Sequence, residues 1–197
     1  MVLIIRDFMD LQTCYTTAYK MRKKFPEKAI EMIENAIADC ECPWLDLMRA
    51  NLNLGLIYED IRDYINAEKS FCEALNAVPK NLKSNYEADI SLNILRVYLH
   101  NIDFRFSGCL YVLYSTAMKA NSFSLSMRQN LFYVSIAEII IAEYEKNNDK
   151  IKDAINNALS ALNKKETTET DRILKKHKYE DDAFASDEAL QFLRKYI

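Results

Sequence analysis

The sequence predicts an all-α protein, and three observations carry that prediction. Among its 197 residues stand only two glycines (Gly55, Gly108) and three prolines (Pro26, Pro43, Pro79). A β-sandwich or barrel needs turn residues every 8–12 positions, and this chain has far too few. Half of the residues are apolar and 28% are charged, the balance of a folded soluble protein and not of a disordered one. The third observation is a set of missing motifs. A dinucleotide fingerprint needs clustered glycines and a phosphate loop needs Gly-Lys-Ser/Thr, so neither exists here. Gly-x-Ser-x-Gly and His-Glu-x-x-His are absent as well, which removes most well-marked enzyme classes.

The elements follow in order. Helices are expected near 4–23, 26–40, 44–60, 64–77, 83–101, 104–120, 124–147 and 150–163. The cluster Lys20-Met21-Arg22-Lys23-Lys24 suits the last turn of the first helix, where the dipole favours cations. Pro26 and Pro43 fit first-turn positions. Asn121-Ser122 and Asn147-Asn148-Asp149 supply capping side chains at two later breaks. From Lys164 to Ala183, 12 of 20 residues are charged, which reads as a linker or a weak exposed helix. Ser186-Asp187-Glu188 then opens a last helix whose Ala189, Phe192, Leu193, Tyr196 and Ile197 form one apolar stripe. Three segments result: a helical domain over 1–163, the charged stretch 164–183 and a C-terminal helix over 184–197. That helix is expected to cap the last exposed pair. Self-docking or homodimerisation through it is the alternative.

Charge and cysteine content narrow the partners. The net charge is −3, whereas nucleic-acid binders carry a basic surplus, so no nucleic acid is expected. The five cysteines (Cys14, Cys40, Cys42, Cys72, Cys109) show no Cys-x-x-Cys, and Cys40-Glu41-Cys42 is too tight for a zinc knuckle. Thiols in a reducing cytosol explain them better than a disulfide framework. The N-terminal apolar run stops at Arg6 without a basic leader, and Leu131–Ala142 is too short to span a bilayer. A cytoplasmic protein without membrane contact is expected.

Internal repetition supplies the sharpest signal. Residues 48–81 read MRANLNLGLIYEDIRDYINAEKSFCEALNAVPKN, with Leu54-Gly55, Tyr58, Ala67, Phe71, Ala74 and Pro79 in place. This segment resembles the tetratricopeptide repeat, a 34-residue helix–turn–helix whose pattern wants those residues at those offsets. Only the opening Trp is missing, replaced by Asn51. Small residues at Gly55 and Ala67 fit where two helices approach most closely, Phe71 fills the gap between them, and Pro79 ends the pair.

Weaker copies flank it. A 40-residue shift lays Leu92, Tyr98, Ser107 and Tyr111 on Leu52, Tyr58, Ala67 and Phe71. Towards the N-terminus, Ala29, Ile33 and Ala36 precede Ala67, Phe71 and Ala74 by 38 residues. Towards the C-terminus, Tyr144, Asp149 and Ala154 answer Tyr58, Asp63 and Ala67. The resemblance thus implies a right-handed superhelical solenoid of about four antiparallel helix pairs, closed by the capping helix.

Catalysis has no positive support in the sequence. His100 and His177 lie in different repeats, and neither is paired with a nucleophile by a recognisable spacing. Glu138 and Glu143 are five apart and fall on different helix faces. No catalytic residue, metal ligand or cofactor is expected. An enzyme with an unmarked site would need a closed pocket around His100 or Cys109. Tyr19, Tyr58, Tyr98 and Tyr144 fall on the repeat register as packing residues, while Tyr86, Tyr133 and Tyr179 stand off it.

The resemblance further implies a concave groove, lined by the first helix of each pair, that receives a peptide or protein segment. Carried over position by position, the best repeat contributes Arg49, Leu52, Asn53, Leu56, Glu59 and Asp60. The 40-residue shift adds Asp89, Leu92, Asn93, Arg96, Leu99 and His100, and the N-terminal register adds Thr13, Thr17 and Lys20. Arginines can fork onto carboxylates, asparagines can bond a peptide backbone and leucines supply apolar contact. Family members that clamp chaperone tails place Lys, Asn and a Lys/Arg pair where this chain has Thr13, Thr17, Asp89 and Asn93. Only Asn53 fits that pattern, so chaperone-tail binding is not expected. The functional expectation is a non-catalytic binding scaffold. A ligand-sensing regulator, a secretion chaperone or a toxin-neutralising protein on the same repeats is the alternative, with a self-assembling structural protein behind them.

Overall fold

The computed structural model describes residues 10–38, 41–119, 127–163 and 185–197, and among them the protein is entirely helical. The elements are α1 Leu11–Met21, α2 Pro26–Ala38, α3 Trp44–Asp60, α4 Tyr64–Ala77, α5 Lys83–Asn101, α6 Gly108–Ala117, α7 Met127–Tyr144 and α8 Asn148–Asn163. The last helix, α9, spans Asp187–Leu193, and 3-10 turns follow α4 at Lys80–Leu82 and α9 at Arg194–Tyr196. No helix among the described residues is long and apolar enough to cross a membrane. The expected starts of the first and seventh helices fall partly on undescribed positions, as do residues 39–40, His177, Tyr179 and the charged stretch 164–183.

The chain divides into two compact units where a single repeat domain over 1–163 was expected. One ends at Tyr86 and the other begins at Glu87, within the first turns of α5. The C-terminal helix belongs to the second unit.

In the first unit, α1 packs on α2, α3 packs on both, and α4 packs on α3. Asp10 caps α1 by accepting from the Thr13 amide at 2.8 Å, and Asp63 caps α4 by accepting from the Asn66 amide at 3.2 Å. The Arg22 guanidinium donates through Nε to Asp60 at 2.8 Å, tying the C-terminal ends of α1 and α3 together. Tyr58 on α3 donates to Glu34 on α2 at 2.8 Å, and burial together with that carboxylate pushes its phenol up to about 12. The core collects Tyr15, Ala18, Ala29, Ile33, Ala50, Leu54 and Ile57. Ala29 and Ile33 are fully buried, as are Ala67 and Phe71, whereas Ala36 is half-buried where Ala74 is fully buried. Asn51 stands where the repeat pattern wants Trp; it is 8% exposed and satisfies its amide on the Leu47 carbonyl at 2.9 Å.

Gly55 and Phe71 set the spacing of α3 and α4. A Cβ placed on Gly55 would lie 2.5 Å from Phe71 Cε1, inside any real contact distance. The ring therefore lies directly on the α3 backbone, with Ala67 and Ala74 fully buried on either side of it.

The second unit departs from the 40-residue register. Asp103 and Phe104 adopt left-handed backbone (φ 51° and 53°) and end α5. Ser107 then caps α6, its Oγ accepting from the Leu110 amide at 3.1 Å while Tyr98 Oη bonds the same hydroxyl at 2.7 Å. The sixth helix accordingly starts at Gly108 and not at 104. Ser107 is a cap and not the small packing residue expected on the Ala67 position. Tyr111, expected to repeat Phe71, is 51% exposed, and Leu110 fills the core instead. Similarly, Lys146 (φ 56°) ends α7 at Tyr144, and Asn147 caps α8 through the Lys150 amide at 3.1 Å. That cap falls two residues before the Asp149 expected from the register. Tyr144 is largely exposed, yet its ring stacks on Phe106 at 3.7 Å. Ala154, Ala158 and Ala161, at i, i+4 and i+7, are fully buried in the α8 face that meets α7.

The stripe of α9 is used within this unit. Ala189, Phe192 and Leu193 enter its core, and Phe192 stacks on Phe104 at 5.4 Å. Ile197, the last member expected on the stripe, is 74% exposed.

The Gly55 contact yields a test by sign. Glycine to alanine in a helix interior ordinarily stabilises by about 1 kcal/mol. Gly55→Ala is expected instead to destabilise by roughly 1–3 kcal/mol, the usual scale of core overpacking. Gly108→Ala, whose added methyl would meet nothing within 4 Å, should be neutral or mildly stabilising. Urea denaturation of both variants decides the matter.

Candidate functional site

On α3 the buried positions Met48, Ala50, Asn51, Leu54, Gly55 and Ile57 face α4 and the core. Helical spacing places Arg49, Leu52, Asn53, Leu56, Glu59 and Asp60 together on one other face. Arg49 and Asp60 are exposed on it, and Leu52, Asn53, Leu56 and Glu59 are half-buried. Half-buried Leu45 lies four residues before Arg49 and joins the same face, which makes Leu45, Leu52 and Leu56 a continuous apolar stripe. Sequence reasoning missed Leu45, although its i, i+7, i+11 spacing to the other two leucines was there to find. On the adjacent α1, Thr13 and Lys20 are exposed and Thr17 is half-buried.

The polar groups on this face differ in their freedom. The Asn53 amide nitrogen donates to the Arg49 carbonyl at 2.9 Å, which orients the side chain and keeps its oxygen in the role of an acceptor. Thr13 Oγ1 donates to Asp10 at 2.9 Å. Asp60 is committed to Arg22, whose guanidinium also lies 3.7 Å above the Tyr19 ring and donates to the Tyr19 carbonyl. Asp60 thus acts as a strut, not as a groove residue. Trp44, at the start of α3, meets Tyr86 edge-on at 5.7 Å.

The second set of candidate residues is placed differently. Leu92 and Leu99 are 1% and 0% exposed and belong to the core of the second unit. Asn93 and Arg96 are each 4% exposed, the Arg96 guanidinium donating to Asn93 Oδ1 at 3.3 Å and the Asn93 amide to the Asp89 carbonyl at 3.0 Å. These four are therefore removed from the accessible lining. The 40-residue register that assigned them is the one that fails at Ser107 and Tyr111. Half-buried His100 meets Phe104 edge-on at 5.2 Å. Asp89 is half-buried, its Oδ1 has no hydrogen-bond partner among the described residues, and burial pushes its carboxyl above the ordinary range.

The carboxylates of α7 go to separate tyrosines. Tyr114, raised to about 12 by burial and by Glu138, bonds that residue. Tyr196, also raised by burial, bonds Glu143. Cys109 is exposed on α6. No group of three His, Cys, Asp or Glu among the described residues is placed to hold a metal ion. Cys14, Cys72 and Cys109 are free thiols, whereas Cys42 is disulfide-bonded, contrary to the expectation of thiols throughout; Cys40 lies outside the described residues. Comparison with protein families, curated proteins and solved structures finds no match to this chain.

Asp89 gives a pH-dependent prediction. Its raised carboxyl holds a proton to higher pH in the folded state than in the unfolded chain. The stabilising contribution is complete in acid and is lost as pH rises through the folded value, leaving a desolvated charge at neutral pH. Asp89→Asn should therefore raise Tm at pH 7 by roughly 1–3 °C and leave it nearly unchanged at pH 3. Thermal unfolding of both proteins at the two pH values measures the difference.

Proposed function

We propose that this chain is a non-catalytic, tetratricopeptide-like binding module that takes a peptide or protein segment along the α1 and α3 faces of its first unit. The observation that carries this reading is the α3 face itself. Leu45, Leu52 and Leu56 supply apolar contact, the exposed Arg49 offers a guanidinium fork, and the tethered Asn53 oxygen can accept from a peptide backbone. Lys20 on the neighbouring helix adds a second cation, so a segment combining an acidic and an apolar side chain suits the lining. The contact between α1 and α3 and the close Gly55–Phe71 approach support the repeat resemblance within the first unit. Three free thiols favour a cytoplasmic setting, against which the Cys42 disulfide counts.

The test is selection from a displayed random-peptide library on the immobilised full chain, followed by titration of the enriched peptides. Acidic–apolar peptides are expected, with Arg49→Glu weakening them at least tenfold, about 1.4 kcal/mol. Lys69→Glu, on the exposed part of α4, should leave affinity unchanged. Failure to enrich any sequence, or equal binding by the Arg49 variant, removes the groove assignment.

A further inference from the structure

Away from the α3 face, one end of the first unit combines exposed apolar side chains with a surplus of cations. We propose that the α1–α2 and α3–α4 turns together dock on an anionic lipid bilayer. Phe25, Ile61 and Ile65 enter the headgroup boundary, and lysines hold the anionic headgroups. The expectation of no membrane contact rested on a missing leader and a missing span, and a surface contact needs neither.

The two turns are held side by side. Arg22, at the end of α1, donates to Asp60 at 2.8 Å, and these residues lie three positions before Phe25 and one before Ile61. Phe25 and Ile61 are each 42% exposed, and Ile65, a turn further on in α4, is 75% exposed. Three large apolar side chains therefore stand in water at one end of the unit. Residues 20–28 add five cations against one acid, Glu27, in a chain whose net charge is −3. The dipole of α1 accounts for Lys20, but Lys28 sits in the first turn of α2, where the dipole opposes it. The ammonium groups of Lys24 and Lys28 lie 5.2 and 5.5 Å from the centre of the Phe25 ring. Both lysines are exposed, so their stems can follow the ring into the interface while the charged heads stay at the surface. Of the acids beside the isoleucines, Asp60 is neutralised by Arg22, and Asp63 is engaged by the amide and the side chain of Asn66.

Charge and side-chain type together select the partner. Four of the five cations are lysines, whose hydrated point charges on flexible stems suit mobile anionic headgroups. Arg22, the one guanidinium among them, is spent on Asp60. A single-stranded nucleic acid could use the lysines and stack a base on Phe25, but two isoleucines give a base nothing to stack on. Hydrocarbon accepts all three apolar side chains alike.

Vesicle flotation with the full wild-type chain tests the proposal. Vesicles of phosphatidylcholine with about one third phosphatidylserine are expected to carry the protein up the gradient, and pure phosphatidylcholine vesicles are not. Lys24→Glu/Lys28→Glu should weaken that binding by roughly tenfold or more. Ile65→Ser, at the most exposed of the three apolar positions, should weaken it roughly threefold and leave thermal stability unchanged. Fluorescence then reports which end of the unit is in contact. Trp44, the only tryptophan, opens α3, and Asp60 ends that helix about 24 Å further along. Vesicles with brominated acyl chains should quench the added emission of Phe25→Trp and leave that of wild-type Trp44 nearly unchanged. No flotation, equal flotation with both lipid mixtures, or equal binding by the variants removes the anchor. Quenching of Trp44 in the wild type would put another face on the bilayer and overturn the assignment. Binding of single-stranded RNA or polyglutamate by a chain that ignores vesicles would give the lysines to an anionic polymer, and so reject it as well.

Discussion

The packing of the first unit depends on how closely α4 approaches α3, and that distance is set by a ring lying on a bare backbone. Phe71 is completely buried over Gly55. The glycine costs helix stability of roughly 0.5–1 kcal/mol relative to alanine. Burying a phenylalanine side chain returns about 1.5–3 kcal/mol, so the exchange favours the pair. Ala67 and Ala74 extend the contact one turn each way with side chains that add no bulk. Alanines do the same along α8 at Ala154, Ala158 and Ala161, without a ring between. A single rule covers both units: the second helix of a pair turns small residues towards the first.

The shortage of glycine, which excluded a β-fold, raises the question of how the helices turn. Helix C-termini commonly end on a left-handed residue, most often glycine. Here Arg62, Asp103, Phe104 and Lys146 take that conformation, at a steric cost of about 1–2 kcal/mol each. The backbone bonds are those of the usual glycine-capped ending: Asp63 donates to the Tyr58 carbonyl, and Asn147 to that of Ala142. In both turns the next residue is the cap of the following helix, Asp63 or Asn147. Saturated hydrogen bonding on both sides of the turn holds the strained residue in place.

This explains what the sequence made legible. Helices 44–60, 64–77 and 83–101 were readable to the residue because proline, Asp63 and the Leu-Gly…Phe pattern mark their ends and faces. The 40-residue copy was not, because the turn at Asp103 and Phe104 consists of residues that carry no turn signature. Reading through them shifted α6 and displaced Phe71's counterpart from Leu110 to exposed Tyr111. The same slip assigned Leu92 and Leu99 to a groove when they belong to a core. The candidate face on α3 was legible because its repeat is intact. Leu45 escaped because it precedes the repeat's first signature position.

The two units therefore differ in what their helix faces are free to do. In the first, Arg22 draws α1 and α3 together at one end through Asp60 and leaves Arg49, Asn53 and the leucine stripe accessible. Asp60 could not serve a ligand without releasing a largely buried guanidinium, and an uncompensated buried charge is expensive. The ion pair thus takes Asp60 out of the proposed binding face, which begins at Leu45. In the second unit, Leu92, Leu95 and Leu99 face a core with Phe132, Ile136 and Phe192, and apolar surface is covered rather than offered. A face can bind only what folding has left uncovered: the α3 face of the first unit is partly exposed, whereas Leu92, Leu95 and Leu99 on α5 are covered by their own unit's core.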